Sequence, residues 1–117
     1  MTSIMLLGRL LFAGYFLYSG INHFQNSKGM AGYAKSKGLP SPEMAVLITG
    51  VMLVVGGAGL LMNLYVSQSV LLLLAFLIPT TFIMHAFWKG GDAMAKMSEK
   101  VAFTKNMALI GALLMML

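Results

Sequence analysis

The sequence predicts an all-α, polytopic membrane protein, with four transmembrane helices in an antiparallel bundle that makes one domain of residues 1–117. Three observations carry that expectation. Apolar residues make up 59% of the chain and charged residues 9%, whereas a soluble domain carries about 25% charged residues. No side chain in residues 44–88 is charged; a spanning helix needs roughly 20 such residues, so the stretch holds two spans back to back. Within it, residues 70–78 (VLLLLAFLI) lack the polar–apolar alternation of barrel strands. Backbone groups in lipid must otherwise bond within their own segment, which requires helices.

The first span is expected over about residues 4–24. Arg9 ahead of an apolar run gives it a faint signal-peptide character. No small-residue cleavage site follows, however, and Tyr15, Tyr18, Asn22 and His23 interrupt the pattern, so a retained helix is expected. Residues 25–42 are rich in Gly, Ser, Lys and Pro and form the first long loop; their LPSP stretch, 39–42, cannot be helical throughout. The second span covers 43–64. Pro42 is tolerated in a first turn and Glu43 suits the positive end of the helix dipole, while Gly50, Gly56, Gly57 and Gly59 suit close helix packing. A short uncharged turn leads to the third span, 66–88, where Pro79 removes a backbone hydrogen bond and is expected to kink the helix. Residues 89–100 form a mixed-charge loop and 101–117 the fourth span. At 1.5 Å per residue that last span covers roughly 25 Å of a core about 30 Å thick. Either the helix starts inside the loop or the natural chain runs beyond Leu117.

The net charge of +5 sits at one face. Lys28, Lys35, Lys37, Lys89, Lys96, Lys100 and Lys105 lie in the two long loops or the first turn of the fourth span, and only Arg9 lies toward the other side. The positive-inside rule then puts loops 25–42 and 89–100 in the cytoplasm and both termini outside, in a multi-pass protein of the cell (inner or plasma) membrane. Topology thus accounts for the basic charge, and no soluble domain exists to present a nucleic-acid-binding face. The chain has no cysteine, hence no disulfide, thiolate ligand or redox thiol of its own. The absence of Asp or Glu from the spans argues against a carboxylate relay or cation-coupled transport. No motif of nucleotide binding, nucleophilic catalysis or zinc hydrolysis is present, so no residue is assigned a catalytic role and no metal site is expected.

The polar residues of the spans converge instead. Spans one and three run in parallel, and His23 and His85 precede Lys28 and Lys89 by five and four residues. Both histidines are therefore expected at one depth near the cytoplasmic interface, where Lys105 and Asn106 open the fourth span. On the first span Arg9, Tyr15, Tyr18, Ser19, Asn22 and His23 project within one half of the helical wheel. On the third, Thr81, His85 and Trp88 stand at i, i+4 and i+7. Tyr18, Asn22, His23, Thr81, His85, Trp88, Lys105 and Asn106 are accordingly the candidate cofactor-binding residues of a polar pocket. A quinone-like headgroup suits it, with Tyr18 and Trp88 flanking the ring and the histidines, whose ordinary pKa is near 6.5, exchanging protons. Two other readings stay open. Each histidine alone could be an anchor at headgroup level. His23 and His85 could also ligate a haem, the weaker reading because a first shell shows more supporting ligands. The 12 methionines read as packing rather than copper binding, and Arg9 as a side chain that snorkels outward or pairs with tyrosine hydroxyls.

Several stretches also carry a family pattern in order along nearly the whole chain. They are residues 8–11 (GRLL) and 19–24 (SGINHF), Tyr33 and Ala34 with 38–40 (GLP), Thr49 and Gly50 with Gly56 and Gly57, 85–88 (HAFW), and 105–108 (KNMA) with Ile110 and Gly111. In these the chain resembles the DoxX family. The resemblance implies a four-helix membrane protein with an oxidoreductase-linked role, since relatives include the small membrane subunit of a thiosulfate:quinone oxidoreductase and members that associate with redox-defence proteins. The lack of cysteine separates the chain from thiol-based four-helix redox enzymes. The expected function is a redox-linked membrane subunit, quinone- or oxidoreductase-associated, whose partners are lipid and other membrane or redox subunits. The alternative is a non-catalytic accessory subunit packed against a larger membrane complex; a small solute carrier or channel fits the uncharged spans least.

Overall fold

The computed structural model describes residues 2–117 and is helical throughout, with no strand among the described residues. Helix α1 covers Ser3–Gln25. Thr2 caps it, its hydroxyl oxygen accepting from the Met5 N–H at 3.0 Å, which satisfies one of the orphan donors of the first turn. A short helix α2, Ser27–Ser36, follows where the sequence suggests a loop. Its low hydropathy disguises it, but Ala31 and Ala34, three apart, turn one narrow face inward and are buried.

Helix α3, Pro42–Met62, carries its proline in the first turn, where the missing N–H costs nothing. It stops at Asn63, whose left-handed φ of 55° lets the Leu64 N–H return to the Gly59 carbonyl at 3.0 Å. Helix α4, Val66–Met84, runs on through Pro79. The sequence suggests a span to residue 88, but the helix ends at Met84 and a single 3₁₀ turn, Phe87–Lys89, follows. Gly90 and Gly91 then adopt φ of 112° and 109°, values that favour glycine. Asp92 starts helix α5, Ala93–Met116, by accepting from the Ala95 N–H at 2.7 Å. The last helix therefore begins at Ala93 rather than near residue 101, and its 24 residues reach about 36 Å, enough for the hydrocarbon core.

Three segments are long and apolar enough to cross a membrane: Ser3–Gln25, Pro42–Met62 and Val66–Lys89. Only 17% of the apolar window of the first is buried inside the protein, and 33% of each of the others. Most of that apolar surface faces outward, where only lipid can cover it. The chain is an integral membrane protein. Helix α5 is long enough as well, but Lys96, Glu99, Lys100 and Lys105 lower the hydropathy of its first half.

Successive long helices run antiparallel, with α3 between α1 and α4, and α5 packed on α4 and the 3₁₀ turn. Glycine sets both faces of α3. A Cβ on Gly57 would lie 3.1 Å from Leu17 Cγ on α1, and one on Gly56 would lie 2.6 Å from Leu73 Cγ on α4. From the α1 side, a Cβ on Gly20 would meet Val54 Cγ2 at 2.7 Å and the Gly50 carbonyl at 3.0 Å. Such contacts let backbones approach and gain dispersion energy where lipid offers no hydrophobic drive. Phe16, Leu53, Leu60, Leu73 and Leu113 are all but inaccessible in the core so formed.

Arg9 belongs to this packing. Its guanidinium donates to the Leu60 carbonyl at 2.6 Å, at the C-terminal, negative end of α3. It neither snorkels outward nor reaches a tyrosine, and its Nε is buried with no partner among the described residues.

Candidate ligand-binding cavity

No comparable interface joins α1 to α5. The space between them, roofed by α2 and backed by α3 and α4, is a cavity of about 440 Å³. Its inner wall is apolar, with Phe16, Leu53, Phe76 and Leu77; its polar groups come from Tyr15, Ser19, His23 and Asn26 on or just after α1, Tyr33 on α2, Thr49 on α3, Thr80 and His85 from α4, and Lys105 and Asn106 on α5.

Of the eight residues singled out by the sequence, His23, His85, Lys105 and Asn106 line this cavity. The other four lie elsewhere. Tyr18 is 72% exposed on the outward face of α1. Asn22 turns to Asn26 and Met30 Sδ. Thr81 is fully buried and donates to the Leu77 carbonyl within its own helix at 2.6 Å. Trp88 sits beyond the end of α4 and packs edge-on against Phe87 and Phe103, with centroids 5.3 and 5.6 Å away. Because α4 ends at Met84, the expected stripe of Thr81, His85 and Trp88 does not form.

The two histidines share the cavity at different levels. His23 Nδ1 lies 3.0 Å from the Val46 carbonyl and 3.1 Å from the Thr49 hydroxyl. A carbonyl only accepts, so Nδ1 carries a proton. The ring stacks edge-on to Phe76 at 5.8 Å, and Phe76 lies more than two helical turns from His85 along α4. His85 stands instead at the loop end, its Nδ1 3.3 Å from Glu99 Oε2.

Glu99 is the residue that sequence reading missed. It accepts from the Tyr33 hydroxyl, pairs with His85 and lies 3.5 Å from Lys37 Nζ, so one carboxylate ties α2 and the end of α4 to α5. Burial works to raise its pKa, but Tyr33, Lys37 and His85 together outweigh that and hold the carboxyl below its ordinary value. Burial and then the adjoining carboxylate push the Tyr33 hydroxyl upward. The signal for Glu99 was the helix start at Asp92, followed by a run without Gly or Pro, which makes the mixed-charge segment helical. At mid-depth Lys105 Nζ donates to the Tyr15 hydroxyl at 2.8 Å, a bridge from α5 to α1. Tyr15, Ser19 and His23 follow each other four apart, which was the signal for the α1 wall.

The arrangement offers an apolar aromatic wall for a ring, two histidine rings, and donors in Lys105, Tyr15 and Asn106. Comparisons with known proteins agree on a membrane protein. The inner membrane protein YphA of Escherichia coli (strain K12) is 25% identical over 114 residues, covering 97% of this chain and 80% of YphA. No solved structure matches the chain. The family model for DoxX matches residues 4–86, a range that holds α1 to α4 and most of the cavity wall, and the chain therefore belongs to the DoxX family.

Proposed function

We propose that the chain is a redox-linked membrane subunit that crosses the bilayer four times and holds a quinone-type headgroup in the cavity between α1 and α5. The observation that carries this reading is the cavity itself: about 440 Å³, apolar and aromatic on one side, with a few convergent polar groups, the usual make-up of a small-molecule site. His23, His85, Lys105 and Asn106 contact the ring oxygens, Tyr15 assists Lys105, and Phe16 and Phe76 lie along the ring. In this reading both lysine-rich segments face the cytoplasm and both termini face outward. The subunit has no self-contained activity and works with a redox partner in the membrane.

Reconstitution in nanodiscs and titration with a tail-less dimethoxybenzoquinone tests the reading. Binding that falls about tenfold in Asn106→Leu and in His23→Leu, the cost of a lost hydrogen bond in a dry site, supports it. Absence of binding by the wild type removes it. Cysteines placed singly at Ser27 and Ser98 and probed with an impermeant thiol reagent in intact cells test the topology; labelling from outside at either position reverses it.

One observation favours a non-catalytic accessory role in a larger membrane complex. Helix α5 packs mainly on α4 and the 3₁₀ turn and leaves Met94, Met97, Val101, Leu114 and Met115 more than half exposed. Under that reading, deletion of the gene product dissolves the host complex, and variants in the cavity leave it intact.

A further inference from the structure

The cavity is open sideways. A second hollow, of about 500 Å³, runs along the outer side of the α1–α5 gap and is lined by Gly8, Leu11, Phe12, Tyr15, Lys105 and Leu109. Tyr15 and Lys105 line both spaces, so their hydrogen bond at 2.8 Å is the bar between a polar chamber and an apolar trough facing lipid. The bar is unusual in its charge. Lys105 is exposed on α5, has no carboxylate within pairing distance among the described residues, and lies 5.3 Å from the centroid of the phenol ring it donates to. A cation at membrane depth is expensive and needs a partner of opposite charge or strong acceptor character.

We infer that the Tyr15–Lys105 bar is the lateral doorway of the cavity, taken by a single-tailed amphiphile of the bilayer whose acceptor headgroup engages Lys105 and whose tail lies in the Gly8–Leu11–Leu109 trough. The inference rests on the cavity reading for its headgroup chamber and adds the route and the tail. It follows from three features together: helices α1 and α5 leave a gap, the gap is apolar outside and carries the polar groups inside, and the one cation at the junction lacks an anion. A ligand arriving from water would have no use for the trough. A bilayer-borne one needs a place for its chain while its headgroup is inside.

Gly8 provides a clean test, because a Cβ there meets nothing within 4 Å; Gly8→Phe fills the trough without disturbing a packed seam. Three probes are titrated against wild type, Gly8→Phe, Lys105→Met and Lys105→Arg in nanodiscs: a decyl-tailed quinone with a diazirine in its tail, the tail-less ring, and a straight-chain carboxylate bearing the same labelled tail. The expected results are that a tailed probe binds at least about tenfold tighter than the tail-less ring, that its photo-crosslinks map to α1 and α5 around Leu11 and Leu109, and that Gly8→Phe removes the tail's advantage. Lys105→Met weakens the tailed probe and Lys105→Arg restores it. Equal affinity with and without a tail, crosslinks elsewhere, indifference to Gly8→Phe, or no binding of either tailed probe overturns the doorway. Ring binding that survives such a result keeps the quinone reading, and a tailed carboxylate that binds in the trough while no quinone binds removes the quinone reading and keeps the doorway.

Discussion

Helix α1 meets α3 along a seam where side chains have been removed, and meets α5 across a gap where side chains reach for each other. On the first side Gly20, Gly50 and Gly57 bring backbones so close that an added Cβ would collide with the neighbouring helix. On the second, Gly8 faces open space, and the Tyr15–Lys105 hydrogen bond bridges the gap. The same residue type serves opposite ends: glycine in the tight seam makes contact possible, and glycine at the open side leaves room. The difference teaches that the scaffold and the cavity are separate pieces of engineering on one helix, so that each can be disturbed without the other.

The largest effect expected is at the tight seam. Gly20→Leu must push apart backbones as well as side chains, because the Gly50 carbonyl and the Val54 amide both lie 3.0 Å from the new Cβ. A loss of about 3 kcal/mol is expected from such overpacking, read as a shifted midpoint in mixed-micelle SDS unfolding; wild-type stability in this variant would show that the seam is looser than its glycines suggest. Next comes Arg9→Met, which removes the charged hydrogen bond to the Leu60 carbonyl. It costs about 1–2 kcal/mol in the same assay, the unpartnered Nε returning part of the loss.

Glu99→Gln sharpens the comparison at the loop end, where α5 is held by one carboxylate. Its partly exposed pairs with Lys37 and His85 are worth about 0.5–1 kcal/mol. The folded carboxyl lies below its unfolded value, so its stabilisation is complete above about pH 4.3 and fades as pH falls through the folded value. Thermal melts should therefore separate wild type from Glu99→Gln at neutral pH and bring them closer as acid is added; a gap unchanged by acidification would assign the effect to something other than this charge. The smallest change is Gly8→Ala, which touches nothing and should add up to about 0.5–1 kcal/mol through helix propensity alone. A loss there would mean the open side is not open.

The helices were legible in the sequence wherever hydropathy alone decides. Residues 44–88 could be nothing but two apolar spans. Helix α2 and the first turns of α5 were not legible in that way, since α2 is held by packing of Ala31 and Ala34 and α5 starts at the Asp92 cap, and Lys96, Glu99 and Lys100 look like a loop to any hydropathy measure. For the cavity, the wheel of α1 identified the correct half but not the correct stripe. Tyr15, Ser19 and His23 point inward, whereas Tyr18 and Asn22, only 60–100° away around the wheel by the 100° spacing, look past the cavity wall. His85 and Trp88 were placed on one helical face, and the early end of α4 at Met84 separates them. The role of Glu99 was not legible because its partners lie on two other segments, α2 and the end of α4, that only the fold brings together.

Arg9 also bears on the order in which the protein is built. Its acceptor, the Leu60 carbonyl, is 51 residues further along the chain and does not exist when α1 first reaches the membrane. A guanidinium within a membrane is costly without an acceptor, so the bond to Leu60 ties the seating of α1 to the presence of α3. The bond makes the first helix depend on the end of α3 lying beside it in the correct register.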